Sequence, residues 1–372
     1  MMGNIRGKTF DVYNNDSAKT SGQRFFSDLC SRLTNRWRPD EEANPSVILF
    51  NVSAPLKLMI HAKLRGKKVV VRIDSLYFDR LSPAFIQTFP RPVRPVLRIG
   101  LRWKATHDCL AFLANFLNRN YGAFLRLLIA DAVIYQSKFS ERIYDRYFRY
   151  KKREVIVNGA SYKGQECNFV KEGINIALIY DQGRPSKRIF DIVKFIEWAN
   201  ETKHEDIHLT ILGYTGIIPE GVSSDLKSII ASKSYIKTHD RFSEYDYKIS
   251  RIMYESDMYI SFSYRDGCPN VVVEAMAHGL PVVGLASGGV PDIVGDAGIL
   301  IAIDDFAEGF YSAHRFEDDF PPFSLEEMLD AIKTVKANNR LFRQKVRLRF
   351  TNELEMDIVV NKYARALNKL IR

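Results

Sequence analysis

The chain has 372 residues, 46% apolar and 26% charged, a composition that fits a globular protein of two domains and excludes a disordered or fibrous one. No apolar run is long enough to span a bilayer and the first thirty residues carry no signal-type hydrophobic stretch, so the expected location is the cytoplasm, in solution or on the inner face of a membrane. The net charge of +10 is uneven, with 29 Lys and Arg against 14 Asp and Glu in residues 1–170 and 25 against 30 in the remainder, and the four scattered cysteines form no CxxC pair that would suggest zinc or a disulfide framework.

In chain order, Phe10–Tyr13 and Val47–Val52 read as short strands and KVVVRI (Lys68–Ile73) as a strong one. Between the first two, SGQRFFSDLCSRL puts Phe25, Phe26, Leu29 and Leu33 on one helical face, with Gly22 opening the helix. Residues 84–128 have a helical but irregular pattern, interrupted at Pro90, Pro92 and Pro95. ADAVIYQS (Ala130–Ser137) is a helix end feeding a buried strand, followed by a charged helix and REVIVNG (Arg153–Gly159). The polar stretch Ser161–Gly173 reads as an interdomain linker. The rhythm then repeats, with a strand at Ile174–Tyr180, a helix at Ile189–Asn200 and a strand at Ile207–Gly213. ESDMYISFS (Glu255–Ser263) echoes ADAVIYQS near the end of the second half, which favours two domains of similar βα construction.

The informative run is SYRDGCPNVVVEAMAHGLPVVGLASGGVPDIV, residues 263–294. It reads as strand, tight loop, helix, strand, glycine loop, helix. Gly267 permits an unusual turn and Pro269 suits the start of a helix. The N–H groups of the helix beginning at Asn270 point at the loop and suit an anion. Glu274, about one turn further on, is placed to reach ligand hydroxyls when phosphates sit at the helix start. Ser287-Gly288-Gly289 forms a second cluster at the carboxyl end of the next strand, the edge where open α/β sheets bind ligands. His278, before Gly279, reads as a capping residue and Cys268 as a small packing residue. The histidines show no metal-binding spacing, and Asp304-Asp305 reads as a solvated turn.

This segment resembles the retaining GT-B glycosyltransferases of family 4, the glycosyl transferases of group 1. Their hallmark is a pair of acids separated by seven residues, here Asp266 and Glu274, with AMAHGLPVV running on from the second. The match is specific over 263–294, looser over about 174–301, and fainter in the first half, where ADAVIYQS and VIVNG carry it. The resemblance implies an α/β fold of two Rossmann-like domains facing across a cleft: an acceptor domain at 1–165, a nucleotide-sugar donor domain at 166–354, and a terminal helix at about 355–372 packing back on the first. It implies that Glu274 binds the ribose hydroxyls and that Asp266 lies beside the donor sugar. The backbone of Gly267, Pro269, Asn270, Val271 and Val272 would hold the sugar and diphosphate. The family's diphosphate-binding Arg and Lys map onto Arg184 and Lys187, with Arg188 as a substitute for the former. A Lys-Arg pair opposes the helix dipole where it stands, and an anion nearby would explain it.

The sequence departs from the family at three places. The first acid is usually Glu, Gly22 keeps half of a Gly-Gly near the diphosphate, and Asp74-Ser75 stands where many relatives have His-Gly. Asp74 either binds an acceptor or donor hydroxyl or caps a turn. The implied reaction needs no cofactor and no metal; its donor is a nucleotide-sugar, UDP- or GDP-linked, and its acceptor a glycan or lipid-linked hydroxyl in surface polysaccharide or glycoconjugate synthesis. A sugar-nucleotide epimerase of the same fold is an alternative. A dinucleotide oxidoreductase lacks its GxGxxG, and a nucleic-acid-binding protein its RNA- or DNA-reading signature. The basic half fits nucleic acid, phospholipid or a pyrophosphate-linked acceptor by charge alone. Between Pro90 and Arg126, Arg91, Arg94, Arg98, Arg102, Lys104, Arg119 and Arg126 interleave with apolar residues against a single Asp108. That run is either an ordinary helical layer with arginines along its edge or a surface for an anionic membrane.

Overall fold

The computed structural model describes residues 10–13, 21–36, 45–73, 81–145, 152–163, 172–180, 185–214, 225–240, 245–303 and 320–371. The first half builds a parallel sheet in chain order from β1 (Phe10–Tyr13), β2 (Val47–Asn51), β3 (Lys68–Ile73), β4 (Ala132–Tyr135) and β5 (Arg153–Val155). Its helices are α1 (Ser21–Arg36), α2 (Leu56–Leu64), α3 (Pro83–Gln87), α4 (Arg94–Arg102), α5 (Lys104–Asn115), α6 (Tyr121–Ile129) and α7 (Lys138–Tyr144). A parallel sheet must be covered on both faces, which is why its strands read as continuous apolar runs. Alternation then sends Val69, Val71 and Ile73 of β3 toward the layer of α2–α7, and Val70 toward α1. Arg72 shares the α1 side, and its guanidinium lies 5.0 Å from the Phe25 ring and 5.8 Å from that of Phe26.

The irregular stretch is a stack of short helices. Pro83 and Pro95 lie in the first turns of α3 and α4, where a missing N–H costs nothing, so these prolines start helices. Pro90 and Pro92 lie between the two, and a π-helical turn (Phe116–Asn120) joins α5 to α6.

The second half contains β6 (Ile174–Ile179), α8 (Ile189–Glu201), β7 (Ile207–Leu212), α9 (Asp225–Ser232), β8 (Ile236–His239), α10 (Tyr245–Glu255), β9 (Met258–Ser261), α11 (Asn270–Ala277), β10 (Val282–Ala286), α12 (Val290–Val294), β11 (Gly298–Ala302), α13 (Leu325–Ala337) and α14 (Asn339–Arg349). Its strands are parallel in the order β11-β10-β9-β6-β7-β8. Ile176 and Leu178 pack under α8, α9 and α13, while Ala177 and Ile179 pack with α10, α11, α12 and α14.

The last helix, α15 (Met356–Ile371), leaves this sheet and returns to the first. Val359, Val360, Tyr363 and Leu367, at helical spacing, share a core with Phe26, Leu29 and Leu33 of α1 and with Val47 and Leu49 of β2. The outgoing and returning chains cross side by side: the Ala160 N–H donates to the Leu354 carbonyl at 3.1 Å, and the Met356 N–H to the Ala160 carbonyl at 2.9 Å. Most of the linker stretch, residues 164–171, lies outside the described residues.

Candidate functional site

In the second sheet β6 and β9 are neighbours, yet β6 leads on to β7 on one side and β9 to β10 on the other. Crossovers leave this pair in opposite directions, which opens a crevice outside their carboxyl ends. Two loops meet there. The Tyr264 N–H donates to the Ser186 carbonyl at 2.8 Å, tying the loop after β9 to the 3₁₀ turn Pro185–Lys187 after β6. Lys187 Nζ then donates to Asp266 Oδ2 at 2.9 Å and to Ser263 Oγ at 3.2 Å. The pair is partly shielded, its side chains 17% and 26% exposed, so the charges remain reachable from the crevice. Asp266 Oδ1 accepts the Cys268 N–H at 3.2 Å, which fixes the carboxylate over its own loop.

The shape of that loop is held by its neighbours. Arg265 has φ 49°, a left-handed conformation costing about 1–3 kcal/mol for a side-chain-bearing residue. It is secured by its N–H donating to Ser287 Oγ at 2.8 Å and by a nearly fully buried side chain, whose guanidinium lies 4.9 Å from the Tyr264 ring. The Gly289 N–H donates to the Asp266 carbonyl at 2.8 Å. A Cβ on Gly288, where φ is +59°, would sit 2.3 Å from the Asp266 carbonyl oxygen, and one on Gly289 2.0 Å from that of Gly267. The two glycines are therefore where one backbone lies directly on another.

Pro269 caps α11 and Asn270 is its first residue, so the opening N–H groups of this helix face the same loop. Val272 is in the core and its N–H donates to the Pro269 carbonyl at 2.9 Å, while Val271 packs against that core, which leaves the Val271 backbone as the part facing the loop. Glu274 is partly buried one turn into α11. Its carbonyl accepts the His278 N–H at 3.3 Å and lies 2.8 Å from His278 Nδ1, while His278 Nε2 is 3.1 Å from Ser250 Oγ. His278 thus closes the helix. Burial pushes the Cys268 thiol up to about 12, so this cysteine is a packing group and not a nucleophile.

Arg188 does not join the Lys187–Asp266 group. Its backbone is left-handed at φ 52°, which turns the side chain into the domain. The guanidinium donates to Asp191 Oδ2 at 2.6 Å and the Pro321 carbonyl at 3.0 Å, and lies 5.2 and 5.4 Å from the rings of Phe320 and Phe323. The anions that offset the two basic residues before α8 are thus the protein's own, Asp266 for Lys187 and Asp191 for Arg188. Arg184, Asp74 and Asp304-Asp305 lie outside the described residues. Gly22 is the second residue of α1, with open space where a Cβ would be.

Four residues that sequence reasoning did not single out form two contacts between the carboxyl edge of the first sheet and this site. Arg72 Nη2 donates to Asn158 Oδ1 at 2.8 Å, and Asn158 Nδ2 donates to Asn270 Oδ1 at 2.7 Å. At the second contact, the Lys138 N–H, in the first turn of α7, donates to Asp292 Oδ2 of α12 at 2.7 Å. A lone arginine inside KVVVRI was the available signal for the first of these links, since a buried charge requires a partner. Among the described residues no group of three or more His, Cys, Asp or Glu is placed to hold a metal ion, and no helix is long and apolar enough to cross a membrane.

Residues 185–315, which contain this crevice, match the family model for glycosyl transferases group 1. The fold is that of the GT-B glycosyltransferases. The pneumococcal O-GlcNAc transferase GtfA, solved with UDP and GlcNAc, superposes with a TM-score of 0.54 at 12% identity, over 88% of this chain and 57% of its own. A glycosyltransferase from Rickettsia africae gives 0.56 at 13%, over 96% and 84%. Anabaena HepE, solved with UDP-glucose, gives 0.53 at 15%, over 95% and 84%. This chain thus spans little more than half the length of GtfA. No curated protein matches it by sequence.

Proposed function

We propose that the chain is a retaining, metal-independent glycosyltransferase that moves a sugar from a UDP- or GDP-linked donor to a hydroxyl of a glycan or lipid-linked acceptor, in surface polysaccharide or glycoconjugate synthesis. The observation that carries this reading is the Lys187–Asp266 pair at the switch point, beside the first turn of α11. In the transfer the bond between the anomeric carbon and the phosphate oxygen breaks, and its electron pair goes to the diphosphate. Lys187 and the N–H groups opening α11 stabilise that charge where it develops, with Arg184 as a second cation. The acceptor oxygen bonds to the anomeric carbon on the face the diphosphate leaves, and its proton passes to the leaving phosphate. Asp266 orients Lys187 and meets the donor sugar, Glu274 accepts from the ribose hydroxyls, Gly22 is assigned to the donor diphosphate, and Asp74 is assigned to an acceptor hydroxyl. Arg188 is assigned no part in donor binding, because its guanidinium is committed to Asp191 and Pro321.

The test is calorimetry of nucleotide diphosphates against the wild type and Glu274→Ala. One charge-assisted hydrogen bond contributes about 1.5–3 kcal/mol, so the variant should bind at least about tenfold more weakly. Unchanged affinity in a folded Glu274→Ala protein would remove the ribose assignment.

A further inference from the structure

Fourteen large apolar side chains are strongly exposed among the described residues, and all but Leu325, Leu341 and Leu348 belong to the helical layer α2–α6 on one face of the first sheet. Within it, α4 and α5 form a hairpin whose turn is Trp103, 64% exposed. Only Leu97 and Gly100 of α4 are buried. At 100° per residue these two define the inward side, which places Arg98 and Arg102 on one outward flank and Val96 and Ile99 on the other. Val96 and Ile99 are 52% and 42% exposed, so the apolar flank is open to solvent beside the basic one.

The structure divides the basic run into two kinds of arginine. Arg94 donates to the carbonyls of Phe89 and Gln87 at 2.7 and 2.8 Å, and Arg126 to those of Ala54 and Gly122 at 2.6 and 2.5 Å. These two are tied to the fold. Arg91, Arg98 and Arg102 are exposed and have no ion-pair or hydrogen-bond partner among the described residues. The one carboxylate in residues 81–128, Asp108, stands beside His107 at 3.2 Å. Exposed guanidinium groups beside an exposed apolar flank fit a partner with a plane of anions and an apolar layer just beneath it. A bilayer with anionic headgroups supplies both, and an exposed tryptophan at the hairpin tip suits its interface.

We propose that the α4–α5 hairpin docks on an anionic phospholipid surface, with Arg91, Arg98 and Arg102 among the headgroup phosphates and Val96, Ile99 and Trp103 below them. Docking needs neither donor nor acceptor, so it can be tested apart from the transferase reading. The experiment is co-sedimentation of the full chain with vesicles of phosphatidylcholine alone and of phosphatidylcholine with phosphatidylglycerol, at low and high salt. Binding is expected only to the phosphatidylglycerol vesicles and only at low salt. Changing Arg91, Arg98 and Arg102 together to Glu should weaken it on the order of a hundredfold or more. The same substitutions to Gln give a milder variant should the Glu protein fold poorly. Tryptophan emission should shift to the blue on binding, and the shift should vanish in Trp103→Phe. The proposal is overturned by absence of binding to anionic vesicles, by equal binding to neutral ones, or by an unaffected triple variant. It is equally overturned if the wild type self-associates and Val96→Asp abolishes this, since the face would then join two copies of the chain.

Discussion

Gly288→Ala probes the packing of the two loops that frame the crevice. Alanine at φ +59° incurs the left-handed penalty of about 1–2 kcal/mol. Its Cβ would also lie 2.3 Å from the Asp266 carbonyl oxygen and 2.8 Å from the Asp266 nitrogen, where contacts below 3.0 Å essentially never occur. Both atoms are backbone, so the Asp266 loop itself must move. Forcing an added methyl into a packed site costs about 1–3 kcal/mol, for a total of roughly 2–5 kcal/mol. At roughly 2–4 °C per kcal/mol, the melting temperature should fall by on the order of 10 °C. Because the loop that moves carries the partner of Lys187, donor turnover should fall further than stability alone explains. Gly22→Ala is the matched control: its Cβ would meet nothing within 4 Å and alanine is the better helix former, so its melting temperature should hold or rise. Circular dichroism melts compare the two variants, and donor turnover is measured for Gly288→Ala against the wild type. A Gly288→Ala protein with wild-type melting temperature and turnover would refute the claim that the Ser287–Gly289 backbone rests on Asp266.

Other perturbations separate the roles of the remaining residues. Lys187→Ala, assayed at saturating donor in excess EDTA, should lose more turnover than affinity, and Asp266→Asn should keep nucleotide affinity while losing transfer. An active Asp266→Asn enzyme would reduce this residue to a loop element. Asn158→Ala leaves Arg72 Nη2 and Asn270 Oδ1 without the hydrogen bonds that now join them across the two halves. It should destabilise the protein by about 2–4 kcal/mol in chemical denaturation, and a loss below about 0.5 kcal/mol would show that the link contributes little. Burial raises the thiols of Cys30 and Cys268 to about 12, so both stay protonated in the folded protein far above pH 9. After Cys109→Ser and Cys167→Ser, an aromatic disulfide reagent at pH 8 should label nothing until denaturant is added. By the same sign, the unfolded chain releases these protons first, so stability is retained below about pH 8.5 and declines as pH rises toward 12. A melting temperature that is flat over that range would contradict the burial.

What the sequence by itself determined was local. The continuous apolar runs of β3 and β6, the helical stripe of α1, and the loop and helix from Asp266 to Ala277 follow from periodicity and turn chemistry within a few residues, and each forms where the pattern places it. Spatial neighbours and side-chain direction were decided by the tertiary structure. Lys187 and Asp266 are 79 positions apart and meet because β6 and β9 pair while their crossovers diverge. Lys187 and Arg188 are adjacent and read alike, yet one left-handed residue sends the first to the crevice and the second to Asp191 and Phe323. Arg94 and Arg98 lie one helical turn apart, and only the first finds carbonyls to hold it. The physical reason is common to all three. A charged side chain's role depends on which distant groups desolvate or pair with it, and those groups are set by strand order and backbone angle, which local sequence spacing does not encode.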